Sequence, residues 1–152
     1  HHEVEVIVRI CKEGKNISEK FASKYYDAVG IGIDFTARDL QDELKAEGLP
    51  WDIAKGFNGS APMSEWIEMN QIKDINRLHF SLKINDRLVQ QGNTADMNFK
   101  IDYIISYIST FFTLRKGDII FTGTPSGVGP IKIGDRLVAY LEDKEMLDFE
   151  IK

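Results

Sequence analysis

The chain has one cysteine, three histidines and four prolines in 152 residues. A single thiol, Cys11, excludes an intrachain disulfide and suits a reducing compartment, so a cytoplasmic setting is expected. Cys11 sits where an alternating apolar run ends, and reads as a half-buried strand-end thiol rather than a nucleophile. No apolar run approaches the ~18 residues that cross a bilayer, and no membrane association is expected. Lys and Arg total 19 against 24 Asp and Glu, a net charge of −5. With no basic stripe, nucleic acid is not an expected partner. No Cys/His spacing suits zinc. Ser60 lacks a Gly-x-Ser-x-Gly frame, which disfavours a serine hydrolase. The glycine-rich stretch after Thr122 lacks the Gly-Lys-Ser/Thr ending of a Walker loop. His79 falls within a strand and reads as structural.

What is present is ordinary for one globular domain: 43% hydrophobic and 28% charged residues. Val4, Val6, Val8 and Ile10 alternate with Glu3, Glu5, Ile7 and Arg9, which predicts a strand with an aliphatic core face. Asn16 with Glu19 resembles a capping box and predicts a helix to about Tyr25. Residues 28–35 read as a buried strand whose glycines allow close approach of another backbone. Thr36 can cap a helix from Ala37 to about Glu47, ended by Gly48. Residues 49–77 read as loop. Leu78–Ile84 and Leu88–Gln91 form a hairpin about Asn85-Asp86. Ile101, Ile104, Ile105, Ile108 and Phe112 have helical spacing. Strands follow at 119–122, 137–141 and 146–151, two of them preceded by Gly-Asp turns. Many strands, three helices and no regular strand-helix alternation indicate an α+β, mainly β fold.

Chemistry concentrates in a few side chains. Glu3 and Glu5 lie two apart on a strand and so share one face, with Ile7 beside them. Asp34 ends the second apolar strand. Three carboxylates repel unless a cation joins them, and Mg²⁺ or Mn²⁺ prefers such oxygen ligands while keeping positions open for water or substrate. Taken singly, the glutamates also suit a solvated strand face, and Asp34 a capping role. Arg38 and Gln41 are three apart and share a helix face near Asp34. Arg38 suits a carboxylate; Gln41 can orient a carbonyl or a water. Lys55, set among apolar residues, can reach an anionic site or snorkel to solvent. The Gly123-Thr124-Pro125 loop offers N–H groups and a hydroxyl to an anion, or is a simple turn.

Five stretches together resemble the fumarylacetoacetate hydrolase family: residues 1–5, 32–43, 49–57, 104–108 and 117–129. They run in family order over nearly the whole chain. The Leu49-Pro-Trp…Ala-Lys55 segment points to the acylpyruvase/oxaloacetate decarboxylase branch. The resemblance implies a mixed β-roll with a few short helices, usually homodimeric. It implies Glu3, Glu5 and Asp34 as ligands of Mg²⁺ (or Mn²⁺ or Ca²⁺), and Lys55 and Gln41 as catalytic. Arg38, Gln41, Lys55 and Thr124 are implied to bind a small 2-oxo acid. The implied reaction breaks a C–C bond in an acylpyruvate-like 2,4-dioxo acid or decarboxylates oxaloacetate. Isomerisation of a 2-hydroxy-dienedioate, as in aromatic-ring breakdown, and binding without turnover are the alternatives. Family members carry a lid with a His–Glu pair ahead of the His-x-Glu-x-Glu strand, so residues 1–152 are expected to be a single catalytic domain truncated at its N-terminus.

Overall fold

A computed structural model describes residues 1–152. Eight strands are present: β1 (Val4–Ile10), β2 (Tyr26–Ile33), β3 (Ile67–Glu68), β4 (His79–Ile84), β5 (Arg87–Asn93), β6 (Ile119–Phe121), β7 (Arg136–Leu141) and β8 (Lys144–Glu150). They form two four-stranded sheets, ordered β3-β2-β1-β6 and β5-β4-β7-β8, with antiparallel neighbours throughout. Four short helices decorate this β-roll: α1 (Glu19–Ala22), α2 (Arg38–Glu47), α3 (Asp52–Lys55) and α4 (Ile101–Phe111). The architecture is the mainly β, α+β roll expected above. No helix is long and apolar enough to cross a membrane.

The core lies between the sheets. Val4, Val6, Val8 and Ile10 project from β1 into it and meet Ile31 and Ile33 of β2, Leu82 of β4, and Leu137 and Leu141 of β7. Burial of each such side chain stabilises the fold by about 1.5–3 kcal/mol. This anchors β1 so that its other face, with Glu3, Glu5 and Ile7, is fixed in orientation. Ile101 and Ile105 of α4 close one end of the core. The hairpin turn places Asn85 and Asp86 at φ 50° and 65°, the double left-handed geometry of a type I′ turn. The two Gly-Asp turns share one construction: Asp118 accepts from the Arg115 N–H at 2.7 Å, and Asp135 from the Lys132 N–H at 2.8 Å.

Several local expectations are corrected. Asn16 caps nothing; it sits at φ 52°, Ser18 begins α1, and the helix stops at Ala22. The Asn16 N–H is instead taken by the Ser109 carbonyl, so a tertiary contact replaces the local one. Thr36 does not cap α2 either: Ala37 occupies that place, and the Thr36 hydroxyl faces Lys55. The expected loop 49–77 contains α3, β3 and two 3-10 turns. Phe112 lies beyond α4 in extended backbone and is exposed rather than on the core face.

The glycines of β2 behave as the close-approach reading requires. Gly32 stands opposite Glu5, and a Cβ there would come within 2.5 Å of the Phe121 ring and 2.9 Å of Ile7. Gly32→Ala is therefore expected to destabilise the protein by about 1–3 kcal/mol, as overpacking does. Urea unfolding checks this, and an unchanged midpoint and slope would mean that Phe121 yields without cost.

Candidate metal centre

Four elements converge on the carboxylates. β1 brings Glu3 and Glu5. The end of β2 brings Asp34, whose N–H donates to the Glu3 carbonyl at 2.8 Å. The first turn of α2 brings Arg38 and Gln41, and the last residue of α3 is Lys55. Glu3 and Glu5 are buried; Asp34, Arg38 and Lys55 are partly exposed. Oxygens of Glu3, Glu5 and Asp34 lie within 4.8 Å of one another.

The charges are unevenly compensated. Lys55 Nζ donates to Glu3 at 2.8 Å, Asp34 at 2.7 Å and Thr36 Oγ1 at 2.7 Å. Those three bonds use every N–H of an ammonium group. Arg38 donates one arm to Glu3 and the other to the Gln41 side-chain oxygen at 2.6 Å. Burial pushes the Glu3 carboxyl upward, but Lys55 and Arg38 outweigh it and hold Glu3 below its ordinary range. For Lys55 burial acts downward, and Asp34 and Glu3 outweigh it and raise the ammonium. Glu5 has no such partner. Its one close donor is the Gly123 N–H at 2.7 Å. Burial, with Asp34 and Glu3 as like charges alongside, pushes Glu5 up to about 7.

This donor set fits a hard divalent cation. It is all oxygen, clustered, and includes a buried carboxylate that no protein cation neutralises. Glu3, Glu5 and Asp34 are the residues that would hold it, and Arg38, Gln41 and Lys55 border them as the sequence leads one to expect. Thr124 sits differently. Its hydroxyl donates to the Val4 carbonyl at 2.9 Å and accepts from Gln90 Nε2 at 2.9 Å. A cleft of about 510 Å³ runs along the same loop, past Phe80, Asn93, Phe99, Thr124 and Ser126, but no carboxylate of the trio lines it. The carboxylates gather at the trio, apart from the cleft. Sequence reasoning missed Thr36, His2 and Gln90. His2 and Gln90 are buried and bonded to each other, His2 Nδ1 to Gln90 Oε1, at 2.8 Å. Burial keeps the His2 imidazole below its ordinary range. No spacing in the sequence signals these three, because their partners lie far away in the chain.

Comparison with known proteins gives the family of the chain. Residues 1–152 match the family described as fumarylacetoacetate (FAA) hydrolase C-terminal. The chain is 45% identical over 152 residues to the oxaloacetate tautomerase FAHD1, mitochondrial, of Mus musculus, covering 100% of this chain and 69% of that protein. It is 42% identical over 134 residues to the oxaloacetate decarboxylase, mitochondrial, of Dictyostelium discoideum, covering 88% and 62%. The crystal structure of fumarylpyruvate hydrolase from Pseudomonas aeruginosa in complex with Mn²⁺ and pyruvate superposes with a TM-score of 0.92 at 30% identity. That match covers 99% of this chain and 66% of the other.

A glutamate whose folded pKa is about 7, against an ordinary 4.5, binds its proton more tightly when folded. Its contribution to stability is full below pH 4.5 and is lost as pH rises through about 7. Metal-free protein in EDTA is expected to lose stability over that interval, and Glu5→Gln to remove the loss. Thermal unfolding across pH 4.5–8 checks it; the same slope in Glu5→Gln would place the titration elsewhere.

Proposed function

Because the chain belongs to the fumarylacetoacetate hydrolase family, we propose that it is a divalent-metal-dependent enzyme acting on small 2-oxo acids. It breaks a C–C bond, by decarboxylating oxaloacetate or by hydrolysing an acylpyruvate of the fumarylpyruvate type. The observation that carries this reading is the clustered trio of buried Glu3 and Glu5 and partly exposed Asp34, with Lys55 and Arg38 at its edge. When bound there, Mg²⁺, Mn²⁺ or Ca²⁺ supplies Lewis-acid polarisation of a 2-oxo group. Mg²⁺ is the ion expected; the Mn²⁺ of the Pseudomonas enzyme supports the class of ion.

The protein's own groups then do the positioning. Arg38, already shared between Glu3 and Gln41, faces an anionic substrate with a planar guanidinium. Gln41 is buried and held by Arg38, so its amide is pre-set to orient a substrate carbonyl or a water. Lys55, anchored on α3, offsets negative charge that develops on the substrate. Thr124 contributes to binding by fixing the loop edge next to Gly123. A second reading, proton transfer between the alpha carbon and the carbonyl oxygen (keto to enol) with the C–C bonds left intact, is favoured by the name of the mouse relative. One free thiol suits a reducing aqueous compartment, whether the cytoplasm or the mitochondrial interior that the names of the two relatives carry.

The expected partner, besides substrate, is a second copy. Phe99, Tyr103, Tyr107 and Phe111 stack along the exposed side of α4, with ring centroids 5.0, 6.2 and 5.3 Å apart. With Phe112 they expose between 39% and 67% of their surfaces. At roughly 150–250 Å² per aromatic residue the stripe presents about 500 Å². That is at the upper end for a monomer and a large share of the ~800 Å² each partner gives a stable dimer. A two-fold axis across α4 lets the stripe cover itself.

Two outcomes are expected. Full-length protein with Mg²⁺ turns over oxaloacetate or an acylpyruvate, EDTA abolishes turnover, and Glu5→Ala lowers kcat by roughly 10²–10³-fold, as loss of a central electrostatic group does. Carbon dioxide release, product pyruvate and enol absorbance assayed in parallel separate decarboxylase, hydrolase and tautomerase; unchanged turnover and metal affinity in Glu5→Ala would sink the assignment. Tyr107→Glu is expected to convert a dimer to a monomer in sedimentation velocity, and a wild-type monomer at 100 μM or so, where nM to μM dimers persist, would remove the dimer reading.

A further inference from the structure

Beyond the edge of β6, β1 lacks a neighbouring strand. β6 pairs only Ile7, Val8 and Arg9, and Thr122 still covers the Val6 carbonyl. At Val4, between the two glutamates, that side of the strand has nothing but side chains to bond to. Two side chains take the vacant places. The Val4 N–H donates to Gln90 Oε1 at 3.1 Å, and the Val4 carbonyl accepts from Thr124 Oγ1 at 2.9 Å. Gln90 Nε2 then donates to Thr124 Oγ1 at 2.9 Å and to the Pro125 carbonyl at 3.0 Å. Val4, Gln90 and Thr124 therefore close a ring of hydrogen bonds.

Gln90 is 2% exposed, and the contact with His2 completes its set. Two donors and two acceptor positions are all an amide side chain has, and all four are engaged. The loop it grips is the one whose Gly123 N–H holds Glu5 at 2.7 Å. β5, which carries Gln90, belongs to the other sheet. One side chain from the second sheet thus ties the strand of Glu3 and Glu5 to the loop that orients Glu5, without touching either carboxylate.

We propose that Gln90 is a positioning residue that sets the spacing of Glu3 and Glu5 for a divalent cation by clamping Val4 to the Thr124-Pro125 loop. This rests on the metal-dependent reading above. Removing the clamp leaves the Val4 N–H buried without a partner and frees the partly exposed Pro125 carbonyl, and the N–H can regain a partner only by a shift of β1 or the loop. Partners of this kind behind a metal ligand are worth 10–100-fold in affinity when removed.

The test measures Mn²⁺ binding by calorimetry on the full-length protein, with Gln90→Leu and Gln90→Glu beside wild type. Gln90→Leu removes all four bonds; Gln90→Glu keeps the acceptor oxygen for Val4 and His2 but loses both donations to the loop. The expected result is a 10–100-fold weaker Kd for Gln90→Leu, a smaller weakening for Gln90→Glu, and near-UV circular dichroism like wild type. Thr124→Val combined with Gln90→Leu should weaken binding less than the two changes multiplied, because one ring is broken either way. A Kd within twofold of wild type for both Gln90 variants overturns the proposal. If Gln90→Leu does not fold, Gln90→Glu decides alone by the same criterion. Wild-type protein that binds Mn²⁺ but turns over no 2-oxo acid would sink the reaction assigned above, while the Kd ratios of the Gln90 variants still decide the clamp; wild-type protein that binds no Mn²⁺ overturns both.

Discussion

Three carboxylates within 4.8 Å of each other repel, and the fold around them is organised by that repulsion. The trio can be held together because β1 is pinned by its other face. Val4, Val6, Val8 and Ile10 are packed in the core, so Glu3 and Glu5 cannot turn away to solvent without pulling four aliphatic side chains out. Lys55 and Arg38 then neutralise Glu3 and Asp34, and Lys55 uses all three of its donors to do it. Glu5 is left with a backbone N–H. In a buried site that bond fixes the orientation of Glu5 but does not offset burial and its acidic neighbours, which push its carboxyl up to about 7.

The same arrangement explains why the site can favour an anionic substrate although it is built on acids. Glu3 and Glu5 are buried, whereas Asp34, Arg38 and Lys55 are partly exposed. α2 and α3 hold these two cations from the C-terminal side of β2, so their placement depends on short helices that follow the strand closely in sequence.

Much of this was legible in the sequence, for a physical reason: strands and amphipathic helices impose periods on neighbouring residues. The β1 alternation gave both its core face and its carboxylate face, and α4 showed through Ile101, Ile104, Ile105 and Ile108. Arg38 and Gln41 at helical spacing were legible in the same way. Asp34 was grouped with Glu3 and Glu5 from the residues, and the five family stretches implied Lys55 and Thr124 as members of the same site. What failed was local capping chemistry: the Ser109 carbonyl takes the Asn16 N–H, and the Lys55 ammonium takes the Thr36 hydroxyl oxygen. Gln90 had no signal at all. In sequence it is one polar residue among several in an edge-like hairpin, and its importance lies in bonds to residues 86 and 88 positions away.

The Gly123–Glu5 bond joins residues 118 positions apart. Contacts of such separation form after most of the chain-closure entropy has been overcome, and chains dominated by them fold slowly. During synthesis at about 5–20 residues per second, Glu3, Glu5 and Asp34 exist for several seconds before the loop that orients Glu5 has been made. The nascent chain therefore carries its acids before it has a place to arrange them, and the finished ligand geometry is a marker that both ends of the domain have met.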